Sequence, residues 1–435
     1  MTRLPLSLLS SLRHSSTCLL LLSGTAMIHQ ANGEEWSRFR GPNGTGISDA
    51  TTIPFNISKD VIDWSIKVKG IGHSSPVVFG DKIFLTSVVH DDSERFVLCY
   101  STTGKKLWEY KTKFTAHALH KFNTFASSTP AVDAERVYVS WTTGDRHEVL
   151  ALTHDGQMAW SKDLGFFAEE HGSSSSPVVY EKTLLVGNDH AAQDGGYLAG
   201  LDVATGDEKW KIQRHAIKAS FSTPTIYKPE NGPVQAIFSS NPVALTAVEV
   251  ETGNVAWEYA GDFRKDIRTV GSPVIANGIV FASAGSGGSG KACVAIRPNG
   301  KDGKPEVAWE LDRALPYVPT PIATKEHLFL LGDNGTMSCI NATTGESIWK
   351  ERVTGETYSS PVCIDGRIYC ISRRGEMAIV AASPTFTKIA EYNFESPIHA
   401  TPAVSGDRLY VRTEGRLISI GKHSSENGQE GADAN

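Results

Sequence analysis

Residues 318–350 read VPTPIATKEHLFLLGDNGTMSCINATTGESIWK, and this stretch decides the fold. Val318 to Ala323 is a first apolar run carrying Pro319 and Pro321. Proline cannot donate to a sheet ladder, so it suits a strand end or edge. His327 to Leu331 reads as a second strand, and Asp333-Asn334-Gly335 supplies the positive φ of a tight hairpin. Thr336 to Ile340 is a third strand. Thr344-Gly345-Glu346 turns the chain again, into a fourth at Ser347-Ile348-Trp349-Lys350. Four short antiparallel strands form one unit, which has the strand pattern of a propeller blade.

Working outward, the same unit recurs along the chain. A Ser or Thr stands directly before Pro at Ser75, Thr129, Ser176, Thr223, Ser272, Thr320, Ser360 and Thr401. Successive prolines are 54, 47, 47, 49, 48, 40 and 41 residues apart, the spacing of a repeat architecture. Thr-Gly followed four residues later by Trp recurs at Trp108, Trp210, Trp257 and Trp349, with Asp155-Gly156 and Trp160 as a variant. Regular recurrence points to blade docking, with each indole N–H near the polar rim. The last unit, from Thr401 to Ile420, holds only three strands, while the strand around Trp64 has no blade of its own. Placing Trp64 in the last blade removes two open sheet edges. The expectation is therefore all-β: an eight-bladed propeller of four-stranded antiparallel blades over 61–421, closed by an N-terminal strand.

Outside the ring, Arg3 and Arg13 precede a leucine-rich run from Cys18, with small residues before Glu34, and 1–33 reads as a signal peptide. Residues 34–60 are expected along the propeller's surface, and 422–435 as a disordered tail. No apolar stretch reaches the length of a membrane helix. Losing Arg3 and Arg13 takes the net charge from −6 to −8, which argues against nucleic acid as a partner. Five cysteines remain, an odd number. Cys363 and Cys370 flank an Asp365-Gly366 turn but sit diagonally, so the cysteines read as buried hydrophobes. No spacing suggests a metal site.

The repeat with its Thr-Gly-x-x-x-Trp turn resembles the pyrroloquinoline-quinone (PQQ)-type propeller family, over essentially all of 61–421. That family includes quinoprotein dehydrogenases and the BamB-type lipoproteins of outer-membrane assembly. Phe39-Arg40-Gly41-Pro42-Asn43-Gly44 and the stretch from His120 to Pro130 look like its secreted BamB-like subgroup. Quinoprotein alcohol dehydrogenases carry adjacent disulfide-bonded cysteines on the quinone and a calcium ligand set; this chain has no adjacent cysteines. BamB-type lipoproteins carry a lipobox cysteine, whereas here Leu22-Ser23-Gly24 precedes Thr25. Leader and resemblance together imply a secreted or periplasmic, monomeric binding or scaffold protein, and these departures from the family leave no cofactor expected. The alternative is a quinoprotein-type oxidoreductase with PQQ at the channel mouth.

Reading backward from each proline collects a candidate site. His73, Tyr358 and His399 lie three residues before their prolines, with Arg268, Tyr317 and His171 slightly further out. The long segment between Trp108 and Pro130 adds His120, Lys121 and Asn123. Every repeat delivers this part of the chain to the same rim, so these residues are expected at one mouth of the channel. Their types suit a protein partner or a small anionic or sugar-like ligand, and the cluster is expected to be electropositive. A water-filled channel also needs a polar lining, so the same residues are compatible with no ligand. No nucleophile–base pair is identifiable. Gly285 to Gly290 lacks the Lys and helix of a phosphate loop and reads as a flexible inter-strand loop.

Overall fold

The computed structural model describes residues 35–421 except 92, 118, 144–145, 168–171, 192–195, 265–266 and 301–303. The expected leader and tail, and His171, lie outside the described residues. The protein is an all-β, eight-bladed propeller. Blades 1 to 8 begin with the inner strands Val77–Phe79, Ala131–Val132, Val178–Tyr180, Thr225–Tyr227, Val274–Ala276, Ile322–Ala323, Val362–Ile364 and Ala403–Ser405. Each blade continues outward through antiparallel neighbours. In blade 6 these are His327–Leu331, Thr336–Asn341 and Ser347–Arg352. The regular inner strand there is only Ile322–Ala323, because Pro319 and Pro321 cannot join the ladder. The outer strand of blade 8 is Ile62–Lys67, paired with Arg416–Ile420 so that Trp64 stands opposite Ser419.

Both faces of each blade are covered by neighbours. The two middle strands therefore read as unbroken apolar runs such as Leu328-Phe329-Leu330-Leu331, all buried. The core is divided into clusters between adjacent blades. Phe84, Val97, Val137 and Leu150 join blades 1 and 2, while Phe281, Trp309, Leu328 and Leu330 join blades 5 and 6. The outer strands are largely exposed on their other side.

The Thr-Gly…Trp signature works between blades. The outer strand carries a bulge just before its Trp, as where Cys99 faces Trp108 and Tyr100 faces Lys106. A bulge re-aims the side chain that follows it. The indole of Trp108 then donates to His154 O (2.9 Å), Trp160 to Val203 O (3.0 Å) and Trp210 to Val250 O (2.8 Å), each in the next blade. Trp257 instead donates to Gln235 Oε1 within its own blade. The turn glycine lies under the indole of the preceding blade. At Gly206 (φ 73°) a Cβ would stand 2.6 Å from the ring of Trp160.

The Ser/Thr-Pro signature makes a belt around the axis. The amide of Ser75 donates to Thr129 Oγ1 (2.9 Å), Thr129 to Ser176 Oγ (3.0 Å), and Ser176 to Thr223 Oγ1 (3.3 Å). The belt continues from Thr223 to Ser272 Oγ, Ser272 to Thr320 Oγ1, Thr320 to Ser360 Oγ and Ser360 to Thr401 Oγ1, all at 2.9–3.0 Å. Among the described residues the eighth link is not made, and Ser75 Oγ has no hydrogen-bond partner there. At that junction the buried Arg412 of blade 8 ties to blade 1 instead, donating to Ser74 O (2.9 Å), Ser74 Oγ (2.6 Å) and Thr86 O (2.8 Å).

The N-terminal segment divides in two: residues 49–60 are largely exposed on the propeller's surface, whereas residues 36–48 take another course. These cross beneath the ring and stop one end of the axis. Trp36 is wholly buried, and its carbonyl accepts from Val78 in blade 1. Asn43 bonds both backbone groups of Ile226 in blade 4, and Ile47–Ser48 adds a parallel strand to Val362–Ile364 of blade 7. Arg40, also wholly buried, uses all five of its N–H groups on carbonyls: Gly44 (3.1 Å), Thr45 (2.9 Å), Thr320 (3.1 Å), Pro321 (2.7 Å) and Pro361 (2.8 Å). The turn chemistry of Gly41 to Gly46 and the spread of these acceptors over two blades draw the segment under the axis.

Candidate ligand-binding site at the propeller axis

With one end stopped, the channel becomes a blind cavity of about 690 Å³. Phe39, beside Arg40, lines its floor, and the belt residues Ser75, Thr129, Ser176, Thr223, Thr320, Ser360 and Thr401 line its wall. Of the residues expected at the mouth, His73, His120, Asn123, Arg268, Tyr317, Tyr358 and His399 line this one cavity. Lys121 is exposed instead, its ammonium 4.8 Å from the centroid of the Phe122 ring. His171 lies outside the described residues.

The segment between blades 1 and 2 folds over the mouth on its own aromatic cluster. Phe114 and Phe125 pack with centroids 4.6 Å apart, and Ala126 O accepts from the amides of His73 (3.0 Å) and Ser74 (2.9 Å). This anchoring carries Phe122 to the far wall, edge-on to Tyr358 at 5.4 Å. The Arg373 guanidinium lies over both rings, 4.6 Å from Phe122 and 4.9 Å from Tyr358, and pairs with Glu356. Cation–π contact of this kind is strengthened by partial burial.

Beside this group the rings of His73 and His399 stack at 4.4 Å. Burial holds His73 well below its ordinary range, at about 3, helped by His399 and Arg412. Burial likewise holds His399 at about 4, helped by Arg373. Both are therefore neutral near pH 7 and add no charge. Across the cavity the amides of Tyr317 (2.8 Å) and Val318 (3.2 Å) donate to the Asp333 carboxylate, whose pKa burial raises. At the mouth Arg373 pairs with Glu356, and the neutral His73 and His399 contribute no positive charge. Fixed positive charge without a carboxylate partner sits at the stopped end, on Arg38 and Arg40. Burial lowers each to about 9, still protonated at neutral pH.

Sequence reasoning missed Phe122, Asp333, Glu356 and Arg373. Asp333 and Arg373 occupy equivalent turns between the second and third strands of blades 6 and 7. These turns reach the same mouth as the segments before the prolines. Aligning Asp333-Asn334-Gly335 with Arg373-Arg374-Gly375 would have exposed both. Gly287 and Gly288 line the cavity from the corresponding turn of blade 5, with φ of 59° and 72°.

A family model described as outer membrane protein assembly factor BamB matches residues 49–213, 93–314 and 301–384. The chain belongs to the BamB-like family of PQQ-type repeat propellers. Overlap among these matches is natural for a repeated unit, which aligns in more than one register. This BamB-like chain is 22% identical over 227 residues to the outer membrane protein assembly factor BamB of Moranella endobia (strain PCIT), covering 47% of this chain and 54% of the relative. It is 24% identical over 241 residues to that of Yersinia pestis, covering 50% and 56%. The chain thus spans about half the length of the curated relatives it matches. Among solved structures, BamB from Moraxella catarrhalis superposes with a TM-score of 0.59 at 14% identity, covering 84% of this chain and 98% of that one. Quinohemoprotein alcohol dehydrogenase from Comamonas testosteroni gives 0.59 at 13%, covering 92% and 82%. These likenesses are of fold.

The adjacent disulfide-bonded cysteines of the quinoprotein pattern are not met among the described residues of this BamB-like chain. The five described cysteines are separate buried thiols, and Cys363 faces Ile368. Among the described residues no three His, Cys, Asp or Glu side chains converge to hold an ion.

Proposed function

We propose that this protein is a binding and scaffold propeller of the secreted or periplasmic space, which presents its axial cavity to a partner protein or a small ligand. The observation that carries this reading is the cavity itself: blind, at the axis, and walled at its open mouth by the Phe122–Tyr358–Arg373 group. Concave sites with aromatic walls and a few placed polar groups are the usual form of a ligand site. The relatives' description as outer membrane protein assembly factors supports a partner-binding role. Among the described residues no helix is long and apolar enough to cross a membrane.

The test is a binding screen of the full chain against small acids, sugars and peptides, repeated on Phe122→Ala and Arg373→Ala. The expected result is a ligand whose affinity falls about tenfold in either variant, the loss typical of one good contact. Ligands that bind equally well to both variants would place the function away from the cavity. Submicromolar PQQ binding would favour the oxidoreductase reading instead.

A further inference from the structure

We propose that the stopped end of the cavity is an oxyanion site, taking a carboxylate group or an inorganic oxyanion on the belt of axial hydroxyls. This rests on reading the cavity as the binding site and names the chemistry of its deep end.

Each Ser or Thr hydroxyl has one proton to give and two lone pairs. In the seven belt links the oxygen spends a lone pair on the neighbouring amide. No acceptor for any of these hydroxyl protons occurs among the described residues. Ser75 goes further: it is 1% exposed, it lines the cavity, and among the described residues its oxygen neither gives nor accepts a bond. All belt residues but Ser272 line the cavity, which gathers these uncommitted protons in one ring around the axis.

A buried donor without an acceptor is costly. A water molecule accepts about two hydrogen bonds, whereas a carboxylate offers about four sites. Charge points the same way. Arg38 and Arg40 lie just beyond the belt, with Arg40 donating to the carbonyls of Thr320, Pro321 and Pro361. Arg38 donates to Pro224 O at 2.5 Å. Neither guanidinium meets a carboxylate among the described residues. Two buried cations with only carbonyl partners favour an anion nearby. A ligand would enter acid-first, leaving its body against Tyr358 and Phe122.

Ser75→Ala isolates the proposal, because it breaks no hydrogen bond and should fold. Melting temperature is followed against acetate, acetamide and sulfate at fixed ionic strength, for the full chain and for Ser75→Ala. Binding to the folded state raises the midpoint saturably. Acetate should do so in the wild type, acetamide should not, and the acetate affinity should fall about fivefold or more in Ser75→Ala, as loss of a hydrogen bond to a charged group does. The relative response to acetate and sulfate separates a planar carboxylate from a tetrahedral oxyanion. Equal responses to acetate and acetamide, or an unchanged acetate affinity in Ser75→Ala, would overturn the site. A screened ligand that needs Arg373 but binds as well without its acid group would overturn the oxyanion site while leaving the cavity reading intact.

Discussion

His73, entering blade 1, and His399, entering blade 8, stack ring on ring with centroids 4.4 Å apart and planes at 19°. Two cations could not share that geometry at low cost, and burial already favours the neutral form of each. The pair therefore reports the closure of the ring as a titration. A third imidazole, His147, is wholly buried between Ser140 Oγ (2.8 Å) and Tyr197 Oη (3.0 Å), and burial holds it at about 4.

Acid should therefore destabilise the fold through its histidines. Their folded values of about 3 to 4 lie below the ordinary 6.5, so the unfolded chain binds protons first as pH falls. Stability is full above about pH 6.5 and is lost progressively toward pH 4. For His147 the loss between pH 6.5 and 5 should reach about 2 kcal/mol. Urea melts across this range check it: His147→Gln should flatten the profile, and an unchanged slope would refute the assignment.

The docking glycines should be intolerant of a methyl group. Gly206→Ala places a Cβ against Trp160 at a φ of 73° and should cost about 2–4 kcal/mol. Gly278→Ala, where nothing lies within 4 Å, meets the backbone penalty alone at a φ of 71° and should cost less. Comparing the two melting midpoints isolates the blade-docking contribution.

Removing Arg40 should loosen the stopper under the axis. Arg40→Met leaves the carbonyls of Thr320, Pro321 and Pro361 without this donor, a loss of about 3 kcal/mol or more. Hydrogen exchange should then rise in the segment around Trp36 before it rises in the outer strands. Exchange that stays uniform would show that the segment is held without Arg40.

The described cysteines should be silent in the native protein. All five are buried, and burial pushes Cys339 and Cys363 up to about 11 and Cys99 and Cys293 to about 12, with Cys370 higher still. Because the thiolate is the reactive form, iodoacetamide should label them only after unfolding. Mass spectrometry of the labelled native protein would expose any exception.

The sequence alone determined the eight-fold repeat, because Ser/Thr-Pro is a local demand made once per blade and Thr-Gly…Trp recurs at the same period in several of them. Proline stands directly before each inner strand, and a turn glycine precedes Trp108, Trp160, Trp210, Trp257 and Trp349. It also delivered His73, Tyr358 and His399 to one mouth, since the period fixes which end of the channel a residue reaches. The partners of those residues were decided only in three dimensions. Arg373 and Asp333 arrive from a different turn of their blades, Phe122 is carried across the axis by a long loop, and the Arg40 segment folds under the ring rather than around it. So too was the charge of two of them: burial holds His73 and His399 neutral, with help from His399 and Arg412 at His73 and from Arg373 at His399. The positive end of the cavity belongs instead to arginines whose burial no local pattern announces, because it depends on carbonyl acceptors contributed by separate blades.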